Sequence, residues 1–183
     1  MKLIATELPD CYLLEPNIFE DNRGRFVKTF HRSSFDALGI QTDFKEEYYS
    51  VSDENVVRGM HFQLPPEDHY KLVYCPTGSV FDVVIDLRRG SPTFGKHVSF
   101  ELSSRNGRML YIPTGFAHGF CALEDNTVMM YRVSSEHSSE HDCGISWDSA
   151  GIKWPAKKSI ISDRDQKFVN LDAFISPFIF HKE

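Results

Sequence analysis

Within Asn55-Val-Val-Arg-Gly-Met-His-Phe-Gln63, strand-forming residues are interrupted by one guanidinium, one glycine and one imidazole. Arg58 is a candidate anion ligand. His61 is a candidate base, because an imidazole titrates near neutrality and can take up a proton and hold it. The two are three residues apart, so a regular strand would point them to opposite faces. Gly59 lies between them, and glycine permits the bulge that would turn both into one cavity. The bland alternative for His61 is a histidine hydrogen-bonded into the fold. A second block, Pro113-Thr-Gly-Phe-Ala-His118, sets another imidazole beyond a proline and a glycine.

Strands must position these groups, because the period-two pattern dominates the chain. In 25–30, Phe26, Lys28 and Phe30 share one face while Arg25, Val27 and Thr29 share the other. The polar stretch 19–24 before it reads as a turn closed by Gly24. Residues 33–38, opened by a serine and followed by Gly39, form the first short helix. Strands are predicted at 11–15, 44–52, 56–62, 70–75, 79–87, 97–102, 109–112, 120–123 and 128–133. Pro65-Pro66, Gly78, Gly90-Ser-Pro92, Asn106-Gly107, Pro113 and Asp125-Asn126 separate them. So many strands without a long helical crossover predict an all-β, antiparallel jelly roll or sandwich. After Gly144 the pattern fades into a tail of short helices, with Ser162-Asp-Arg-Asp165 resembling a helix start.

With 183 residues, the chain is expected to form a single domain over 1–183 with its own core. A formal charge of −6 argues against general affinity for nucleic acid or an anionic membrane, so an anionic ligand must meet a local basic cluster. Cys11, Cys75, Cys121 and Cys143 are widely spaced with no C-x-x-C pair, as expected of reduced thiols. Glu7 and Asp10 interrupt the start of the chain, and no run approaches the ~18 apolar residues of a membrane span. A cytoplasmic protein is expected.

His61-Phe-Gln63 and Pro113 to His118 resemble the two half-motifs of the cupin family of small jelly rolls. A metal-binding cupin would supply His-x-His and a glutamate from the first, yet Gln63 stands at the second histidine. A transition-metal site wants three or more His or carboxylate ligands, so no metal is expected. Over nearly its whole length the chain resembles the dTDP-4-dehydrorhamnose 3,5-epimerase family. The blocks that carry the likeness include Phe19-Glu-Asp-Asn-Arg-Gly-Arg-Phe26, Asn55 to Gln63, Lys71-Leu-Val, Gly78 to Arg88, Tyr111 to Phe120, Tyr131, Gly151-Ile-Lys-Trp-Pro155 and Ser162 to Asp165. The resemblance implies epimerisation of a nucleoside-diphosphate 4-keto-6-deoxy sugar beside its ketone, with no metal or redox cofactor.

On that resemblance His61 is the base and Asp165 the carboxylate that orients it. Tyr131 is the acid on the opposite face, and Lys71 the cation near the developing enolate oxygen. Each has a bland alternative: Asp165 as a capping partner of Ser162, Tyr131 as core beside Met129 and Val133, Lys71 as a solvated strand lysine. The resemblance likewise places Arg23 and Arg58 on the diphosphate, Phe26 against the nucleobase and His118 in the pocket. It also implies a homodimer whose exchanged N-terminal strands bring Arg23, Phe26 and Lys28 into the neighbouring site.

Departures from the family pattern fall among the recognition residues. Glu46-Glu-Tyr48 stands where Gln-x-Asn is usual, Lys28 where an acid is usual, and His137 where a second pocket tyrosine is usual. The nucleotide is therefore open among dTDP, GDP and CDP, as are the sugar, hexose or heptose, and the choice between inverting C3 and C5 or C3 alone. A 4-ketohexose isomerase would need similar enolisation, but Tyr131 stands in the epimerase register. A non-catalytic sugar-nucleotide-binding cupin would have lost His61, Tyr131 or Lys71, and all three are present.

Overall fold

A computed structural model describes residues 1–181. Two antiparallel sheets face each other. The first runs β1 (Lys2–Ala5), β2 (Tyr12–Glu15), β10 (Met109–Ile112), β7 (Lys71–Thr77), β12 (Thr127–Val133) and β5 (Glu46–Ser52). The second runs β13 (Asp142–Gly144), β6 (Val57–Gln63), β11 (Phe116–Ala122), β8 (Ser79–Asp86) and β9 (His97–Ser103). A separate hairpin joins β3 (Ile18–Asp21) to β4 (Gly24–Val27). This is the jelly roll that the strand spacing predicts.

Alternation sets what each sheet buries. On β12, Met129, Tyr131 and Val133 point inward and are buried, whereas Val128, Met130 and Arg132 on the other face are half-exposed. Met129 and Tyr131 meet Val84 and Phe120 of the facing sheet in the inner core, with Val73 and Leu110 from their own. On β11 every residue is buried, because its outer face is covered as well. Ile145, Ile152 and Phe178 of the C-terminal tail pack there against Met60, Phe62 and Ala117. The outer face of the first sheet is closed by the segment around α1 (Arg32–Asp36), whose Phe35 packs on Leu14, Leu72 and Met109. Burying an aromatic side chain of that size contributes about 1.5–3 kcal/mol.

Several elements differ from the sequence expectation. β1 and β13 were not foreseen, and each is a short strand without a clear alternating pattern. The 19–24 turn shrinks to the Asp21–Gly24 tip, where the Asp21 carboxylate accepts the Arg23 backbone N–H at 2.8 Å. The strand predicted for 25–30 ends at Val27, and Phe30 instead packs edge-on against Phe35 and Phe44. β11 starts at Phe116 rather than 120, since Gly115 turns the chain at φ +83°. In place of a helical tail there are two 3-10 turns, Asp165–Lys167 and Leu171–Ala173. Outside these turns the tail is irregular chain, held by isolated bridges such as Val56 with Ile160 and Ile145 with Val169. Its apolar residues dip inward singly, so no helical stripe forms. Of the N-terminal strands expected to be exchanged, β1 and β2 pair within their own chain's sheet, and the β3–β4 hairpin belongs to neither large sheet.

The bulge expected at Gly59 is present. His118 lies opposite His61 while Phe120 lies opposite Arg58, so three steps on β6 match two on β11. Gly59 sits at φ +148°, and a Cβ there would lie 2.7 Å from Gly119 Cα. Backbone on both sides leaves nothing flexible to yield. Gly59→Ala is therefore expected to lower stability by about 2 kcal/mol or more, read as a lower urea midpoint at unchanged slope. An unchanged midpoint would show that the close approach is not needed.

Candidate active site

Between the sheets lies a cavity of about 370 Å³. The bulge lets Arg58, His61 and Gln63 of β6 all line it, and β5, β7 and β12 form the other wall. His61 Nε2 is 2.8 Å from Asp165 Oδ1. An ionised carboxylate accepts only, so this nitrogen carries the proton and Nδ1 holds the lone pair. Asp165 is 4% exposed. Its second oxygen accepts the Gly59 N–H at 3.3 Å, and its own N–H donates to Ser162 Oγ at 3.1 Å. Both sequence alternatives for Asp165 thus hold together: it is capped by Ser162 through its backbone and pairs with His61 through its side chain. Burial by itself raises the Asp165 carboxyl, but hydrogen bonds from His61, Gly59 and Ser162 and the charge His61 carries whenever it is protonated outweigh it and hold the group below its ordinary value.

Across the cavity Tyr131 projects from β12 and is 8% exposed, so it is a cavity wall as well as core. Burial pushes its phenol well above the ordinary value, so it stays protonated. Its hydroxyl is 3.4 Å from Ser50 Oγ, and its ring stacks on Tyr48. Lys71 is 6% exposed, not solvated, and its Nζ donates to the His61 carbonyl at 3.3 Å. Burial pushes this amine down to about 8 against the pull of Asp142 and Asp82. His118 and Asp82 form a second, deeper pair at 2.8 Å. Burial raises the Asp82 carboxyl, opposed by His118 and Lys71. His118 is therefore a hydrogen-bonded core histidine that also lines the cavity.

Arg58 lines the cavity and is anchored by Ser52 Oγ and the Val51 carbonyl, both at 3.0 Å. Glu46, Tyr48 and His137 gather on the same wall, where the Glu46 carboxylate accepts the His137 backbone N–H at 2.7 Å. Arg23, Phe26 and Lys28 do not line this chain's cavity. Arg23 and Phe26 lie on the exposed β3–β4 hairpin, where Arg23 pairs with Asp21 at 2.6 Å and Phe26 is 61% exposed, and Lys28 follows β4, also exposed. Gln63 is a loop tie: its amide donates to the Glu67 carbonyl at 2.7 Å and accepts from the Ser138 N–H at 2.7 Å. Among the described residues no group of three or more His, Cys, Asp or Glu could hold a metal ion.

Sequence reasoning missed Ser50, His69, Asp142 and Arg164, all of which line the cavity, and Phe168, whose ring meets His61 edge-on at 5.8 Å. Arg164, paired with Asp142 at 2.7 Å, was adjacent to a residue already singled out. His69 carries no motif signal, and burial pushes its imidazole down to about 3, so it is neutral.

A jelly roll with a histidine–carboxylate pair facing a buried phenol across a small cavity defines a cupin-type protein equipped for acid–base chemistry. The family model for dTDP-4-dehydrorhamnose 3,5-epimerase matches residues 5–173. A protein of that name from Shigella flexneri is 44% identical over 181 residues, 96% of this chain and 100% of its own. The crystal structure of dTDP-4-dehydrorhamnose 3,5-epimerase from Bacillus anthracis, with TDP and PPi bound, superposes with a TM-score of 0.90 at 38% identity, covering 92% of this chain and 98% of that one. The Legionella pneumophila dTDP-6-deoxy-D-glucose-3,5-epimerase in complex with dTDP-4-keto-L-rhamnose gives 0.91 at 34% identity, covering 95% and 94%. The chain belongs to the dTDP-4-dehydrorhamnose 3,5-epimerase family.

The depressed Asp165 carboxyl fixes the sign of a pH effect. A group ionised more readily in the folded state contributes stability in full above its unfolded value, near 3.9, and loses it as the pH falls through the lower folded value. Asp165→Asn is expected to be less stable at neutral pH by about 1–3 kcal/mol. Its deficit should shrink below about pH 4 when urea unfolding is followed from pH 7 to 3. A deficit independent of pH would contradict the assigned ionisation.

Proposed function

We propose that this chain epimerises a nucleoside-diphosphate 4-keto-6-deoxy sugar at C3 and C5. One observation carries the reading: His61 and Tyr131 stand on facing sheets, on opposite walls of one cavity. A hydrogen beside a ketone is acidic because the carbanion delocalises into an enolate. His61 Nδ1 takes that hydrogen, the C–H electron pair becomes the enolate double bond, and the carbonyl pair moves onto oxygen. Lys71 is the cation for that oxygen. The enolate oxygen pair then re-forms the carbonyl while the carbon–carbon double-bond pair takes the Tyr131 hydroxyl proton on the other face, inverting the centre and leaving a phenolate. The imidazolium and the phenolate regain their starting forms by proton exchange with water. Asp165 fixes the base's tautomer and stabilises the imidazolium between the two transfers.

Arg58 is assigned to the diphosphate, whose planar, multi-donor recognition suits a guanidinium. His118, Glu46 and His137 are assigned to the sugar end of the cavity. The dTDP-linked ligands of relatives make a dTDP sugar the first substrate to try, and a cytoplasmic site of action fits a nucleotide sugar. Among the described residues no helix is long and apolar enough to cross a membrane. Incubation in deuterated water with dTDP-, GDP- and CDP-linked 4-keto sugars, read by NMR, tests the activity. Label at C3 and C5 is expected, with His61→Asn and Tyr131→Phe each slowed by about 10²–10⁴-fold. Label at C3 alone would establish the narrower epimerase, and no label with any substrate a non-catalytic binder.

A homodimer accounts for the exposed hairpin. Arg23, Phe26 and Lys28 would then close the partner's cavity, with Arg23 adding a cation for the diphosphate and Phe26 a face for the nucleobase. Mixing inactive His61→Ala protein with an Arg23→Ala/Phe26→Ala variant is expected to restore about a quarter of wild-type turnover after subunit exchange, because half the dimers would carry one intact site. No recovery despite proven exchange would mean that the hairpin does not act across subunits.

A further inference from the structure

Tyr48 lies directly opposite Tyr131 in the β5–β12 register. Their rings are 4.8 Å apart and inclined by only 16°. Tyr131 is 8% exposed and Tyr48 40%, so Tyr48 is the outer ring of the pair, on a strand that forms the edge of its sheet. On the inner side His118 meets Tyr131 edge-on at 6.1 Å and 71°. Among the described residues the Tyr131 hydroxyl has one partner at hydrogen-bond range, Ser50 Oγ, at a long 3.4 Å. A contact of that length barely orients a hydroxyl, so the phenol's direction is set by what holds its ring.

We propose that Tyr48 is a positioning residue for Tyr131, the outer jaw of a clamp whose inner jaw is His118. The clamp fixes the direction of the phenol, keeps water off it, and thereby sets how its proton is divided between the two carbons that flank the ketone. Those carbons are about 2.5 Å apart, so a phenol held in one direction reaches one of them better than the other unless the sugar turns. Aromatic stacking needs the Tyr48 ring and not its hydroxyl. The inference rests on the acid role of Tyr131, and its central test is independent of any substrate.

Besides Tyr48, the charged and titratable groups that line the cavity with Tyr131 are Glu46 from β5, Arg58 and His61 from β6, Lys71 from β7, His118 from β11, Asp142 from β13, and His69, His137 and Arg164 from the loops, with Asp82 of β8 acting from below. Substitution at 48 leaves these residues in place but removes the Tyr48 phenol, whose charge raises Tyr131. Tyr48→Phe removes the same phenol and keeps the ring, so a difference in Tyr131 ionisation between Tyr48→Ala and Tyr48→Phe reports on water reaching the ring. Tyrosinate absorbance is measured in wild type, Tyr48→Ala and Tyr48→Phe, each with its Tyr131→Phe counterpart subtracted. Wild type is expected to show no Tyr131 ionisation between about pH 9 and 11, whereas Tyr48→Ala ionises in that range and Tyr48→Phe restores the wild-type behaviour. In turnover, Tyr48→Ala should lose about 10–100-fold in kcat with KM changed less than about 3-fold. Its ratio of deuterium entry at the two carbons should move by about 3-fold or more, and Tyr48→Phe should recover both. An unshifted titration with an unchanged ratio in Tyr48→Ala overturns the clamp while leaving the epimerase reading intact. Losses in Tyr48→Phe as large as in Tyr48→Ala also overturn it, by making the hydroxyl a substrate contact. Absence of exchange in wild type is the separate failure of the epimerase reading.

Discussion

Gly59 and Gly119 touch backbone to backbone, and the cavity depends on that contact. A Cβ on Gly119 would meet the Arg58 carbonyl at 2.7 Å and Gly59 Cα at 3.0 Å, so neither position tolerates a side chain without displacing a strand. Because β6 and β11 can approach this closely, β6 absorbs one extra residue. Arg58 and His61 then share a cavity that an unbroken alternation would have split between two faces. The same bulge turns the Gly59 N–H toward Asp165, which anchors the carboxylate behind His61. An extra residue in one strand thus fixes the relation among Arg58, His61 and Asp165.

Desolvation supplies the rest of the chemistry, with opposite consequences on the two walls. On the β5, β7 and β12 wall it keeps the Tyr131 phenol protonated and brings the Lys71 amine down to about 8, where charge is retained at neutral pH but only narrowly. On the β6 wall hydrogen bonds overcome desolvation, and Asp165 stays ionised beside His61. Buried charges without such partners would be destabilising. The second pair, His118 with Asp82, has one carboxylate oxygen that meets no protein donor among the described residues. Its burial beneath Tyr131 shows how much polar chemistry this small jelly roll encloses.

The sandwich was legible in the sequence because alternation and turn residues are local signals, and both survive in β5 to β12. What escaped has physical reasons. The tail forms no periodic element: its residues reach the core one at a time, as Ile152, Phe174 and Phe178 do, so pattern reasoning defaulted to helices. β1 and β13 are pinned by neighbours rather than by their own sequence. Within the site, His61, Arg58, Lys71 and Tyr131 could be singled out because strand residues of those types are unusual and because whole blocks matched a family. Residues such as His69, Asp142 and Arg164 come from loops and strand ends whose meeting point only the fold determines. Tyr48 stands in the sequence only as a recognition residue, and its register with Tyr131 reveals the stack.

The account's central claim is that a proton acceptor and a proton donor bracket the sugar ring from opposite sides. A crystal structure of the protein with an unreactive nucleotide-sugar analogue, reduced to an alcohol at C4, tests it most directly. His61 Nδ1 and Tyr131 Oη should each lie within about 3.5 Å of C3 or C5, on opposite faces of the ring. A ring with both groups on one face, or one bound away from them, would contradict the account.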